Sequence, residues 1–291
     1  DIPGVARHGL RDLALWTVLV RVVYSDGDED VYHLLLSRRP VAEAVASDAG
    51  DVRLVYVGEQ DGVPAAICDA LFDSAALAEL WESIRGGETH AGADGEVRCL
   101  NLRLGDESTE AGAAKADGDD IHLLGREQSN TSAVRANREL LKCLRRVSAG
   151  ISPELELTDA LARAGFDRVA APLGAVEYRP AGGGDPTLLS IVQPFFSNGT
   201  DGWTLALTSL RALYADVEEM SLPGSVLAFS PPQAGGGNAV AVRAQPRPAI
   251  DGGPETATFA PEAARLGRTT AEMHLAALRA GPGAELEAQP V

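Results

Sequence analysis

The sequence predicts an α/β (α+β) chain, with short strands filling its first two thirds and helices its last. Three observations carry this prediction. Residues 12–24 (DLALWTVLVRVVY) form a β-branched and aromatic run; the turn SDGDED and a second run, VYHLLLS at 31–37, follow. That pattern reads as a hairpin. Residues 73–87 hold a capping residue, one apolar face and a glycine stop, the marks of an amphipathic helix. Residues 121–193 repeat the strand signature on both sides of a second capped helix.

After the hairpin, short strands fit 52–57 (VRLVYV) and 63–69 (VPAAICD). In the first helix Asp73 or Ser74 supplies the cap. Leu77, Leu80, Trp81 and Ile84 share a face, and Gly86 and Gly87 end the helix. A strand fits 97–104 (VRCLNLRL), and the polar, turn-rich run 105–120 marks a boundary. Beyond it come a strand, a loop of small polar residues, a strand through 131–135, a turn at Asn137 and Arg138, and a strand at 139–144. Ser152 caps the second helix with Pro153 at its first position, where the missing N–H costs nothing. Leu157, Leu161 and Ala164 mark its buried side, and Gly165 ends it. Strands at 173–179 and 187–193 follow, then helices from 201 and over 261–279. Between those helices, 228–257 is rich in Pro, Gly and Ala and reads as a mobile loop; the tail 281–291 reads as frayed.

The formal net charge is −17 over 291 residues. Such a field repels phosphate backbones and anionic lipid, so neither nucleic acid nor a membrane surface is expected as a partner. A nucleotide would need a local basic pocket. Lys115 and Lys142 are the two lysines of the chain. A lysine inside an apolar strand therefore asks for a reason. Cys68, Cys99 and Cys143 are odd in number and far apart, without a CxxC, which fits a reduced cytoplasmic setting. The apolar run 14–23 contains Arg21 and is too short to span a bilayer. The chain begins at Asp1, without a leader pattern, which reads as a cut N-terminus.

One constellation carries chemistry. Gln128, Ser129, Asn130, Thr131 and Ser132 form a loop able to turn N–H groups and hydroxyls toward an anion. Lys142 sits on the next strand, in reach of phosphate oxygens, and Glu156 on the following helix is placed to pair with it, with Glu154 second choice. This is the strand-lysine, helix-glutamate logic of phosphoryl-transfer folds, with a serine-type loop in place of GxGxxG. Taken alone, a polar hairpin turn with a surface lysine and glutamate also explains it.

The longer runs add a resemblance. LLGREQSNTS, LLKCLRR and ISPELEL, then IVQPFFSNGTDGW, LTSLRALYADV and EAARLGRTTAEMHLAAL, resemble in order the motifs of the actinobacterial maltokinase family. The resemblance implies a kinase-like bilobal fold close to the aminoglycoside phosphotransferases, with an N-terminal cap at 1–112, a nucleotide-cradling lobe at 116–198 and the start of a helical lobe at 199–291. It implies ATP and Mg²⁺ as cofactors and transfer of the γ-phosphoryl group to maltose, giving maltose 1-phosphate. It also adds a trehalose synthase as a partner. Ser129 to Ser132 would cradle phosphates, Lys142 would bind them, Glu156 would orient Lys142, and the Gln193 carbonyl and Phe195 N–H would seat adenine.

The chain also departs from that pattern. The family's opening tryptophan-rich segment is not seen. Pro194 interrupts the hinge, and Ser152 stands where asparagine is common. The HGDxHxxQ and DFEG-type runs that supply catalytic and metal carboxylates do not occur in residues 1–291, so no catalytic or metal residue is assigned, and this stretch alone is not expected to turn over maltose. An aminosugar kinase, such as a glucosamine kinase, shares the loop, DGW and helix features. A non-catalytic cap-plus-lobe binding protein is the other reading. Three further features are structural. Asp26 to Asp30 open like a calcium loop, but Val31 and Ser37 occupy its sixth and twelfth positions, so it is a hairpin turn. His274 lies on an amphipathic helix without metal partners, and Trp203 reads as an anchor between lobes.

Overall fold

The computed structural model describes residues 5–10, 13–46, 53–60, 63–103, 120–124, 130–197, 199, 201–219 and 259–280. Among them the fold is mixed α/β with two antiparallel sheets.

The first sheet is built from β1 (Val5–Leu10), β2 (Leu13–Val23), β3 (Glu29–Pro40), β4 (Arg53–Gln60) and β5 (Val63–Asp69), in the order β1-β2-β3-β5-β4. A short helix, α1 (Val41–Ala46), follows β3. Along β3 burial alternates: His33, Leu35 and Ser37 are buried, and their neighbours are partly open. That period of two is why the apolar run folds as a half-buried strand.

Helix α2 (Ser74–Gly86) starts where expected, with the Asp73 side chain accepting the Ala76 N–H. It stops at Gly87, whose φ of 65° suits a residue without Cβ. Leu77, Leu80, Trp81 and Ile84 are all buried and recur at helical spacing.

The second sheet holds β6 (Thr89–Ala91), β7 (Gly95–Asn101), β8 (Ile121–Leu123), β9 (Asn130–Arg135), β10 (Glu139–Leu144), β12 (Gly174–Pro180) and β13 (Thr187–Pro194), in the order β6-β7-β12-β13-β10-β9-β8. Helix α3 (Pro153–Arg163) lies between β10 and β12 in the chain. The strand expected near 97–104 is β7, and it pairs with β12 rather than with the first sheet. The polar boundary falls almost wholly outside the described residues. On its two sides the chain shares one sheet and one core.

That core joins Leu15 and Leu35 of the first sheet, the α2 face, and Val97, Cys99, Ala133, Leu141, Cys143 and Val192 of the second. The opposite face of the second sheet has its own cluster, with Ala175, Leu188 and Ile191 packed by Leu144 and by Leu155 of α3. Strand β11 (Arg146–Val147) leaves the second sheet and pairs with β3, tying the two sheets together.

The described residues up to 197, with those of 272–280, form one compact unit, and the described residues between 199 and 271 form another. In the second, α4 (Gly202–Glu219) is capped by Asp201, which accepts the Thr204 N–H at 2.8 Å and the Thr204 hydroxyl at 2.6 Å. The Asp-Gly-Trp motif is thus a helix start. Trp203, the second residue of this helix, is 74% exposed. Helix α5 (Ala260–Arg279) gives its last turns to the first unit. The loop expected at 228–257 and the tail at 281–291 lie outside the described residues. No described helix is long and apolar enough to cross a membrane.

Candidate functional site

The candidate site is organised by the register of three strands. Lys142 on β10 lies directly opposite Ser132 on β9 and Ile191 on β13. Directly opposed residues share a face, so Lys142, Ser132 and Ile191 form one row. Asn130 opposes Leu144 and Gln193 opposes Leu140, so both belong to the same face, two residues along. This is the face that Leu155 of α3 covers. Thr131 opposes Cys143 and points the other way, toward the main core. Its hydroxyl accepts from Arg145 Nε at 3.0 Å, and Arg145 also binds Asp69 at 2.7 Å. Of the predicted loop, Asn130 and Ser132 share the Lys142 face and Thr131 does not. Gln128 and Ser129 lie outside the described residues.

The carboxylate beside Lys142 is Glu154, which corrects the expectation of Glu156. Lys142 Nζ donates to both Glu154 oxygens at 3.0 Å. The reason is helical phase. Residues advance by about 100° in a helix, so Glu156 is turned by about 200° from Glu154. Glu156 instead lines a cavity of about 490 Å³ with Asp159, Ala160, Arg163, Ala164, Arg279 and Ala280. The Lys142 side chain is 24% exposed, its stem packed and its ammonium at the surface of the sheet.

Ser132 is buried, and its hydroxyl has no hydrogen-bond partner among the described residues. Its carbonyl accepts the Leu124 N–H at 2.9 Å, which holds β8 against β9. A buried hydroxyl is costly to leave unpaired, and this one shares its row with Lys142.

The cap of α3 departs from expectation too. Ser152 occupies the N-cap with extended backbone, but its side chain makes no capping bond; its carbonyl accepts the Glu156 N–H at 2.9 Å. Pro153 is the first helical residue, as expected. Glu154 and Glu156 are both in the first turn, where carboxylates complement the helix dipole.

At the hinge the Phe195 N–H donates to the Arg138 carbonyl at 2.7 Å. The donor expected to face adenine is therefore spent on the β9–β10 turn. Antiparallel pairing alternates the direction of backbone groups. The Pro194 carbonyl belongs to the same trans peptide unit as the Phe195 N–H and therefore points to the opposite side.

The three cysteines are free and buried. Burial pushes the Cys99 thiol up to about 12 and the Cys143 thiol to about 11, so neither is a nucleophile at neutral pH. Among the described residues no group of three His, Cys, Asp or Glu is arranged to hold a metal ion. The sequence reading did not single out Arg145 or His33. Arg145 bridges Thr131 and Asp69 across the two sheets. An arginine directly after a buried strand was the signal for it.

No family model matches the chain. Among solved structures it is similar to glucosamine kinase in complex with glucosamine, ADP and inorganic phosphate, at 18% identity and a TM-score of 0.44, over 92% of this chain and 42% of that one. A second crystal form of glucosamine kinase gives 20% identity and a TM-score of 0.42, over 94% and 46% of the two chains. A third gives 22% and 0.38, over 74% and 39%. The chain spans less than half the length of each solved chain that it resembles.

Proposed function

We propose that the second sheet and α3 form the nucleotide-cradling lobe of an ATP-dependent sugar kinase. The observation that carries this reading is the Lys142–Glu154 pair, with both oxygens of the carboxylate on one ammonium. A helix carboxylate that holds a strand lysine over a polar loop is how this class of fold positions a cation for α- and β-phosphates. The chain order agrees with it: two strands joined by the loop, the lysine strand, the helix, then two strands ending at a hinge. Asn130 and Ser132 lie on the lysine face, and the Ser132 hydroxyl has no partner among the described residues. For adenine, the Pro194 carbonyl replaces the acceptor first expected. The acceptor is maltose by the motif resemblance, with maltose 1-phosphate as product and Mg²⁺ neutralising the phosphates. Catalysis in such sites is positioning and charge stabilisation.

Nucleotide binding tests the reading. Calorimetry of the 291-residue chain with MgATP and MgADP should show saturable binding. Lys142→Ala should weaken it by about tenfold or more, the loss of one charge-assisted contact. Glu154→Gln should weaken it less, and Glu156→Gln should leave it unchanged. Binding indifferent to Lys142→Ala, or sensitive to Glu156→Gln alone, overturns the assignment. With ATP, Mg²⁺ and maltose or glucosamine, no turnover is expected from residues 1–291, because the carboxylate runs for metal and nucleophile do not occur in them. Turnover abolished by Lys142→Ala would place the catalytic acids within this chain.

A further inference from the structure

Strand β9 pairs with β10 along its whole length, from Asn130 opposite Leu144 to Arg135 opposite Glu139. Strand β8 joins its other side only from Ser132 onward, through the Leu124 N–H on the Ser132 carbonyl and the pairs of Ala133 to Arg135. Among the described residues, Asn130 and Thr131 are therefore paired on one side alone. Backbone with few partners opens most readily. The tie that holds this end comes from the first sheet. The Thr131 hydroxyl accepts Arg145 Nε at 3.0 Å, and Arg145 Nη2 donates to Asp69 Oδ2 at 2.7 Å. Asp69 ends β5 and is itself fixed, because its other oxygen accepts the Leu71 N–H at 3.1 Å. The Arg145 backbone is pinned as well, its carbonyl accepting the His33 N–H of β3 at 2.9 Å. The Arg145 and Asp69 side chains are 23% and 18% exposed, so water screens this pair less than it screens a surface pair.

Side chains alternate along a strand, so holding Thr131 by its hydroxyl also fixes how Asn130 and Ser132 face Lys142. Arg145 itself reaches to the side away from Lys142, and Asp69 neutralises its charge. It is therefore placed to hold the strand rather than a phosphate. Resting on the nucleotide reading above, we propose that Arg145 is a positioning residue. Anchored on Asp69 of the first sheet, it sets Asn130 and Ser132 against the phosphates through Thr131, without touching the nucleotide. Nucleotide affinity of the second sheet thus depends on the first.

Calorimetry of the 291-residue chain with MgATP, run beside Lys142→Ala, reads the outcome. Thr131→Val keeps the shape of the side chain and removes the acceptor. It should weaken binding by about tenfold, the worth of one hydrogen bond to a charged group. Thr131→Ser, which keeps the hydroxyl, should restore most of the loss. Arg145→Ala should weaken binding by a similar factor, and the two changes together by no more than either alone. Asp69→Asn discriminates by sign. It removes a negative charge, which by electrostatics alone would favour an anionic ligand; loss of the anchor should instead weaken binding. Should Arg145→Ala not fold, the two Thr131 variants and Asp69→Asn decide. Binding that Lys142→Ala weakens but Thr131→Val and Arg145→Ala leave unchanged overturns this inference and spares the nucleotide reading. Additive losses in the double variant overturn it too, because Arg145 or Thr131 would then touch the phosphates. So does a Thr131→Ser no better than Thr131→Val, or an Asp69→Asn that binds as tightly as the unaltered chain or tighter. No binding by the unaltered chain, or binding indifferent to Lys142→Ala, overturns both readings.

Discussion

Asp73 serves donors from three residues with its two oxygens. It caps α2 through the Ala76 N–H at 3.2 Å, accepts the Ser37 hydroxyl at 3.1 Å, and accepts Arg39 Nε at 2.7 Å, with Arg39 Nη2 on its other oxygen. Burial alone would raise its pKa, but the Arg39 pairing, the Ala76 amide and Ser37 together outweigh it and hold the carboxyl below the usual range. The sign follows: the ionised form is stabilised by folding, so the contribution is full above about pH 4, the unfolded value, and fades as pH falls through the native one. Asp73→Ala removes the acceptor shared by three residues and should cost about 3–5 kcal/mol, the range for breaking a buried pair. Ser37→Ala should cost about 1.5–3 kcal/mol, a single hydrogen bond to a charged group. Urea midpoints at neutral pH check both. A cost of only about 1 kcal/mol for Asp73→Ala, with none for Ser37→Ala, would mean that the carboxylate acts only as a helix cap.

At the scale of elements, close approach is decided at Gly174. A Cβ there would run into the Ile84 side chain of α2 and the Leu100 carbonyl of the neighbouring strand. The carbonyl is fixed in the sheet, so the helix would have to lift. Gly174→Ala should therefore destabilise by about 1–3 kcal/mol, the usual cost of overpacking; an unchanged melting temperature would show that α2 yields freely. Neither this contact nor the pairing of β7 with β12 was legible in the sequence, because each depends on partners some 75 to 90 residues away. What local pattern could carry was legible. The strand 63–69, the helix from Ser74 to Gly86 with its Asp73 cap, and the order of strands around α3 all follow from periodicity and punctuation. Lys142 lies on the strand that adjoins Asn130, Thr131 and Ser132, while Gln128 and Ser129 lie outside the described residues. The error at Glu156 was one of phase: a motif names a turn of helix, but the side that faces the lysine depends on where the helix starts and how it docks. The hinge error was of the same kind, since the direction of the Phe195 N–H is set by strand register. The turn at 135–138 shows what the sequence hides: Ala136 and Asn137 both have positive φ, 53° and 50°. Asparagine tolerates that conformation, but alanine gives no sign of it.

Across the first unit, one buried histidine joins the two sheets. His33 on β3 is 1% exposed, donates Nδ1–H to the Leu144 carbonyl at 3.1 Å, and uses its own N–H on the Arg145 carbonyl at 2.9 Å. Nδ1 also lies 3.6 Å from Cys143 Sγ, while Nε2 is buried without a partner among the described residues. A charged ring there would need an acceptor that Nε2 lacks. Burial accordingly lowers its pKa to about 4, the Arg145 charge acts in the same direction, and only the Leu144 carbonyl opposes them. The unfolded chain binds this proton near pH 6.5 and the native one near pH 4, so stability is full above the unfolded value and falls as pH drops through that window. Over the window the loss should reach about 3 kcal/mol. His90, lowered by burial against the pull of Glu88, adds a loss of the same sign. The discriminating variant is His33→Gln, which keeps a donor at this position but cannot titrate. It should start less stable at pH 7 and lose less between pH 7 and pH 4.5 in urea titrations. Parallel pH profiles for the two proteins would mean that the junction between the sheets stays intact whichever way this ring is protonated, and that acid opens the molecule elsewhere.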